Sequence, residues 1–343
     1  MFESVTDPSR SNWKLRSAGI AVIVALLAGF VWIWRMTQMP LHSYRGSLPA
    51  LTAEQLDLES RLSAHVKHLS GTIGERDASQ AGKLHATTDY IQTTLQQMGY
   101  TVTEQPYSAD GKEVQNLEAR LDGNVGTNEV VVVGAHYDTV AGTVGANDNA
   151  SGVAATLELA RMLRQCKLQS AIRFVFFANE EPPYFQTNQM GSLVYARGLR
   201  RDHLALSAMI SLETIGFYSD AAGSQKYPAL LSLFYPSRGN FVGFVGNTES
   251  RDLVRRAVRE FRASTSFPSE GISAPADWPG IGWSDQWAFW QEGYPAIMVT
   301  DTAPFRYPYY QTTTDTSEKI NYDQMTRVVV GVRNVVVSLA SER

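Results

Sequence analysis

Four short apolar runs each stop at acidic, histidine or amide-bearing residues: Glu129 to Val133, Ile172 to Phe177, Met209 to Leu212 and Pro295 to Val299. Runs of this length, bounded by turn residues, read as strands buried on both faces. Val153 to Leu163 carries apolar residues at helical spacing between the first two runs, and Gly191 to Arg201 is the helix expected between the second and third. Strands and helices alternating in this way predict a three-layer α/β/α fold with a mostly parallel mixed sheet covered on both faces. In open sheets of that kind, ligands bind at the carboxyl ends of the strands.

The four exits carry the candidate chemistry. After the first come His136, Asp138 and, in the loop leading into a helix, Asp148; after the second come Glu180 and Glu181; Glu213 follows the third; the fourth opens a loop that reaches Gln311. Taken alone, His136 reads as a satisfied core histidine beside a surface turn. Three further exits bearing carboxylates or an amide change that reading. A carboxylate two residues beyond a histidine can hold the unliganded imidazole nitrogen and fix its tautomer. In an adjacent acidic pair, one carboxylate can bind a metal while its neighbour stays free as a general base for a metal-activated water.

Composition excludes several classes. Thirty Lys+Arg against 34 Asp+Glu give a formal charge of -4, so no global basic field argues for nucleic acid. Arg251, Arg255, Arg259 and Arg262 line one side of a predicted helix, but Asp252 and Glu260 interleave, and Leu253, Ala257 and Phe261 need a core. The single cysteine, Cys166, excludes an intramolecular disulfide and a cysteine-based zinc cluster.

Residues 17–36 are expected to form a transmembrane anchor. Ser17 to Trp34 is uncharged and mostly apolar, preceded by Arg10, Lys14 and Arg16 and ending with Trp32 and Trp34 at interfacial depth. With no small-x-small cleavage site after the run, an uncleaved single-pass anchor is favoured over a signal peptide. The flank puts residues 1–16 in the cytoplasm and everything beyond the span in the periplasm or outside the cell. Residues 37–52 read as a linker and 53–343 as the globular domain. Within it, Thr52 and Gln55 form a capping box before a helix with Leu56, Leu62, Val66 and Leu69 inward. A second helix covers 83–98, strands cover 100–105 and 114–121, and further strands are expected over 230–235 and 241–246. The Pro-, Gly- and Ser-rich stretch 265–283 reads as a long binding loop or lid. A terminal helix begins at Tyr322 with Met325, Val328, Val329 and Val332 inward.

The motifs Gly134-Ala-His-Tyr-Asp138, Gly145-Ala-Asn-Asp-Asn-Ala-Ser-Gly152, Asn179-Glu-Glu-Pro-Pro183 with Gln186 and Met190-Gly-Ser192, Leu212-Glu-Thr-Ile-Gly216, Ser284-Asp285 and Thr312 through Tyr322 occur in one order. Together they resemble the co-catalytic di-zinc exopeptidases of the bacterial leucyl aminopeptidase type, the twenty-eighth metallopeptidase family, from about residue 53 to the end. The resemblance implies a zinc-exopeptidase (phosphorylase/hydrolase-like) fold and hydrolysis of peptides with a free N-terminus by a metal-activated water. It also implies that His136, Asp148 and Glu213 form one zinc site and that Asp148 bridges to a second metal held by Glu181. Glu180 would be the base, and Asp138 would orient His136.

The chain departs from the family at two positions. Gln311 stands where the family places a histidine ligand, and Gln286 replaces the histidine of its common Ser-Asp-His. The last of the six histidines is His203, so no neighbour substitutes. An amide oxygen is a poor zinc donor beside an imidazole, so the second site is expected to be weak, or filled by another divalent ion. Two alternatives stay open: a pseudo-peptidase ectodomain used for binding or scaffolding, and a related metal-dependent cyclase or amide hydrolase.

Overall fold

A computed structural model describes residues 8–124 and 129–341, without the side chains of residues 8–17, 229 and 230. The chain divides into two units, residues 1–38 and 39–343. The first contains helix α1 (Pro8–Thr37). Its segment 18–37 is long and apolar enough to cross a membrane, and Ile20, Ile23, Leu26, Leu27 and Phe30 are exposed along it. Twenty helical residues span about 30 Å, the thickness of a bilayer's hydrocarbon core. The side chains of Arg10, Lys14 and Arg16, on which the expected orientation rests, lie outside the described set.

In the second unit the elements follow as α2 (Ala53–Lys67), α3 (Ala81–Gln97), β1 (Val102–Ala109), β2 (Lys112–Leu121), β3 (Glu129–His136), α4 (Gly152–Leu163), β4 (Ala171–Phe177), α5 (Gly191–Arg201) and β5 (Ala205–Glu213). Then come β6 (Val242–Gly246), α6 (Arg251–Ser264), β7 (Ser269–Ser273), α7 (Gln286–Gln291), β8 (Ala296–Thr300), α8 (Ala303–Arg306) and α9 (Tyr322–Ser341). The strands form one sheet in the order β1-β2-β4-β3-β5-β8-β6-β7. The central strands β4, β3, β5 and β8 run parallel, and β1, β2 and the β6–β8 pairing supply the antiparallel character.

The uninterrupted valines of β3 follow from burial on both sides. Val131, Val133 and Ala135 join the core with residues of α2, α3, α4, α6 and α9. Val130 and Val132 join the core with residues of α5 and α7. Because α4 leaves β3 on one face and α5 leaves β4 on the other, a crevice opens between two adjacent parallel strand ends. That is the topological switch point at which α/β proteins bind ligands.

Three expectations are corrected. Residues 229–233 form a short 3-10 turn in place of the strand expected over 230–235. Pro228 and Pro236 bracket that segment, and proline has no N–H to donate to a strand ladder. The stretch 265–283 is not all loop, because Ser269–Ser273 pairs parallel with β6 as the edge strand β7. Ser-Glu-Gly-Ile-Ser has little strand character of its own, so the partner strand supplies the order. Leu56 is exposed, and Leu58 takes its place beside Leu62 and Val66 on the buried face of α2.

The capping box is formed as expected: Gln55 N donates to Thr52 Oγ1 at 3.3 Å, and Thr52 N donates to Gln55 Oε1 at 3.0 Å. Thr52→Ala should therefore cost about 1 kcal/mol in urea unfolding. A change under a few tenths of that would show that α2 is held by its packing on α4 and α9 alone.

Candidate metal centre

His136 is the last residue of β3 and its ring is fully buried. Its Nδ1 lies 3.2 Å from the Asp138 backbone carbonyl and 3.5 Å from Asp138 Oδ1. Donation to the carbonyl places the proton on Nδ1 and leaves Nε2 as a lone-pair donor. The Asp138 carboxylate also accepts, through its two oxygens, the backbone amides of Glu180 and Glu181, each at 3.1 Å. It thus clamps the β4 exit onto the β3 exit, a role with no signature in sequence.

His136 Nε2 faces Asp148 Oδ1 at 3.4 Å, Glu213 Oε2 at 3.2 Å and Glu180 Oε2 at 3.9 Å. Among the described residues neither Nε2 nor Asp148 Oδ1 has a hydrogen-bond partner, although both are buried. Two donors each about 2 Å from a tetrahedral zinc ion lie about 3.3 Å apart. His136, Asp148 and Glu213 therefore fit one ion, with a nitrogen and carboxylate donor set suited to zinc. Glu181 falls in a second group with His136 and Glu180, whose donor atoms lie within 4.8 Å of one another.

Each candidate ligand is held from behind. Asp315, not singled out in sequence as a site residue, accepts from Asn147 N at 2.9 Å and Asp148 N at 3.1 Å. Arg76, fully buried, donates to the carbonyls of Val144, Gly145 and Tyr137 and so fixes the loop that carries Asp148. Gly145 sits at φ 56°, and a Cβ there would strike the Asp148 carbonyl. Asn149 Nδ2 donates to Leu212 O at 2.8 Å while its Oδ1 accepts from Thr214 N at 3.2 Å, tying the start of α4 to the end of β5. Ser284 Oγ donates to Glu213 Oε2 at 2.7 Å.

The electrostatics suit a cation. Burial, then the neighbouring carboxylates against the His136 imidazole, raises Glu180 and Glu181 well above the usual carboxylate range, and Glu213 is raised for the same reasons. Burial alone would lower His136, but Glu213 and Glu180 push it well above its ordinary value. Asp285, buried close by, is pushed up to about 7, chiefly by burial. A divalent ion would relieve this crowding by favouring the ionised carboxylates and the neutral imidazole.

Gln311, in the left-handed region at φ 51°, points its Nε2 at Glu181 Oε2 (3.3 Å) and at the Tyr310 hydroxyl (3.2 Å). Gln286 is buried and donates to Ile281 O at 2.9 Å, bracing the 275–283 loop. Beside Glu213 and Tyr310 opens a cleft with the aromatic side chains of Tyr227, Tyr235, Phe241, Trp283 and Phe305 in its walls.

A buried histidine and paired carboxylates at the carboxyl edge of a parallel sheet, with spacing that fits zinc, define a metal-dependent hydrolase. Residues 116–336 match the family described as peptidase family M28. The chain is also similar to the protein YfbL of Escherichia coli (strain K12), with 37% identity over 332 residues, 93% of this chain and 97% of that one. The chain belongs to peptidase family M28. Among solved structures, a zinc aminopeptidase from Bacillus subtilis superposes with a TM-score of 0.65 at 16% identity, covering 83% of this chain and 95% of that one. A glutaminyl cyclase from Bacteroides thetaiotaomicron superposes with a TM-score of 0.62 at 18% identity, covering 85% and 99%. At those identities the likeness is one of fold, and the fold serves two reactions.

Proposed function

We propose that the protein is an aminopeptidase that removes N-terminal residues from peptides, anchored in a membrane by α1, with one zinc ion held by His136, Asp148 and Glu213. The observation that carries this reading is the convergence of unpartnered His136 Nε2 and Asp148 Oδ1 with Glu213 at zinc spacing, while Glu180 stands slightly farther off. When bound, the ion supplies Lewis acidity for the attacking water and the peptide carbonyl. Glu180 accepts the proton of that water and passes it to the departing amine. Asp138 keeps Glu180 and Glu181 in place through their backbone amides. The aromatic cleft beside Glu213 receives the side chain of the residue removed. Incubation with peptides bearing a free or an acetylated N-terminus, read by mass spectrometry, tests this. Stepwise loss of residues from the free peptides alone is expected, and equal cleavage of both would refute it. A peptide beginning with glutamine separates the cyclase reading, because cyclisation releases ammonia and keeps the residue.

The second position, Asp148 with Glu181 and Gln311, is weak for zinc in this reading. Gln311→His should raise zinc from about one toward two per chain, by replacing an amide with a strong donor. Unchanged zinc would remove Gln311 from that position. For the anchor, a reporter fused after Arg343 should be active only in the exported compartment, and cytoplasmic activity would reverse the orientation.

A further inference from the structure

We propose that Glu181, with Gln311 and Tyr310, binds the ammonium group of the substrate's first residue in the place where a second metal would otherwise sit. This rests on the aminopeptidase reading above. Glu181 is 4% exposed, and one of its oxygens, Oε1, has no hydrogen-bond partner among the described residues. A buried carboxylate oxygen left unpaired is costly, so the position calls for a donor or a cation. Its electrostatic neighbours are Asp148, Asp138, Glu213 and the His136 imidazole. One divalent ion at the His136 end offsets two negative charges of this cluster and leaves an excess at Glu181.

The geometry favours an organic cation over a second metal. Gln311 presents its NH2 group to the other oxygen of Glu181 and to the Tyr310 hydroxyl. An amide N–H donates and has no lone pair for an ion. Turning the amide over would give up both hydrogen bonds and set two acceptors face to face. An ammonium group needs no such change. It brings three donors, and Glu181 Oε1, the Gln311 carbonyl oxygen and the Tyr310 hydroxyl oxygen are acceptors of the right kind. Gln311 is exposed, and Tyr310 also lines the aromatic cleft, so solvent and the side-chain site meet at this point. The difference from a two-metal centre thus becomes a recognition device: a blocked amino terminus cannot supply the charge that Glu181 lacks.

The test is titration calorimetry on the full-length, zinc-loaded protein with leucine and with 4-methylpentanoate, its counterpart lacking the amino group, alongside zinc analysis. Leucine should bind about tenfold or more tightly, the range for hydrogen bonds to charged groups. Glu181→Gln should keep about one zinc per chain and abolish that preference, and Glu181→Asp should restore part of it. Loss of zinc in Glu181→Gln would make Glu181 a metal ligand and overturn the proposal. Two zinc ions in the unaltered protein, or a preference that survives Glu181→Gln, would overturn it as well. Binding is read without turnover. Hydrolysis of free-amino peptides with the preference unchanged in Glu181→Gln therefore sinks the ammonium site alone, whereas the expected binding pattern without any hydrolysis sinks the aminopeptidase reading alone.

Discussion

Glu180→Gln should lower turnover by about 100- to 10,000-fold, the usual contribution of a positioned general base, while zinc content stays unchanged. Glu180 Oε2 is 3.9 Å from His136 Nε2, outside the 3.2 to 3.4 Å shell formed by Glu213 and Asp148. Its backbone amide, held by Asp138, survives the substitution. Glutamine keeps the shape and removes the proton acceptor. Burial raises the Glu180 carboxyl well above the usual range in the metal-free site, and a bound zinc ion would oppose that shift by favouring the ionised form that can accept a proton. With zinc bound, any acid limb of the pH profile that belongs to Glu180 should disappear in the variant. A matching loss of zinc would instead make Glu180 a ligand.

The second large effect is expected from His136→Ala, which should weaken zinc binding by more than about 100-fold and abolish hydrolysis. Loss of an outer-shell partner alone costs 10- to 100-fold in metal affinity, and His136 is the one imidazole in the proposed ligand set. The substitution also removes the imidazole nitrogen that Glu213 and Glu180 face. Zinc analysis and turnover on the same sample check both effects, and full zinc with full rate would place the site elsewhere.

The central strands were legible because burial on both faces requires continuous apolar runs, and Glu129–His136 and Ala171–Phe177 meet that requirement plainly. The exits His136, Glu180, Glu181 and Glu213 could be assembled because the fold class predicts one shared edge. The supporting residues were not legible. Arg76 spends its guanidinium on backbone carbonyls, some nearly 70 residues away, and no pattern in sequence marks such partners. Asp315 reaches the amide of Asp148 across 167 residues. For Gln311 the residue type is plain in sequence, whereas the turn of its NH2 group toward Glu181 arises only in the folded loop. The edge strand Ser269–Ser273 carries no alternation of its own and exists through its pairing with β6.

Removal and return of the metal bears most directly on the central claim. The full-length protein, stripped by a chelator, should lose turnover on chromogenic aminoacyl substrates and regain it when about one equivalent of zinc is restored, as expected of a single three-ligand site. Undiminished turnover in the metal-free protein would contradict a metal-dependent mechanism. No turnover at full zinc loading, across substrates with aromatic, aliphatic and charged first residues, would contradict the aminopeptidase itself and leave a zinc-binding ectodomain without this catalysis.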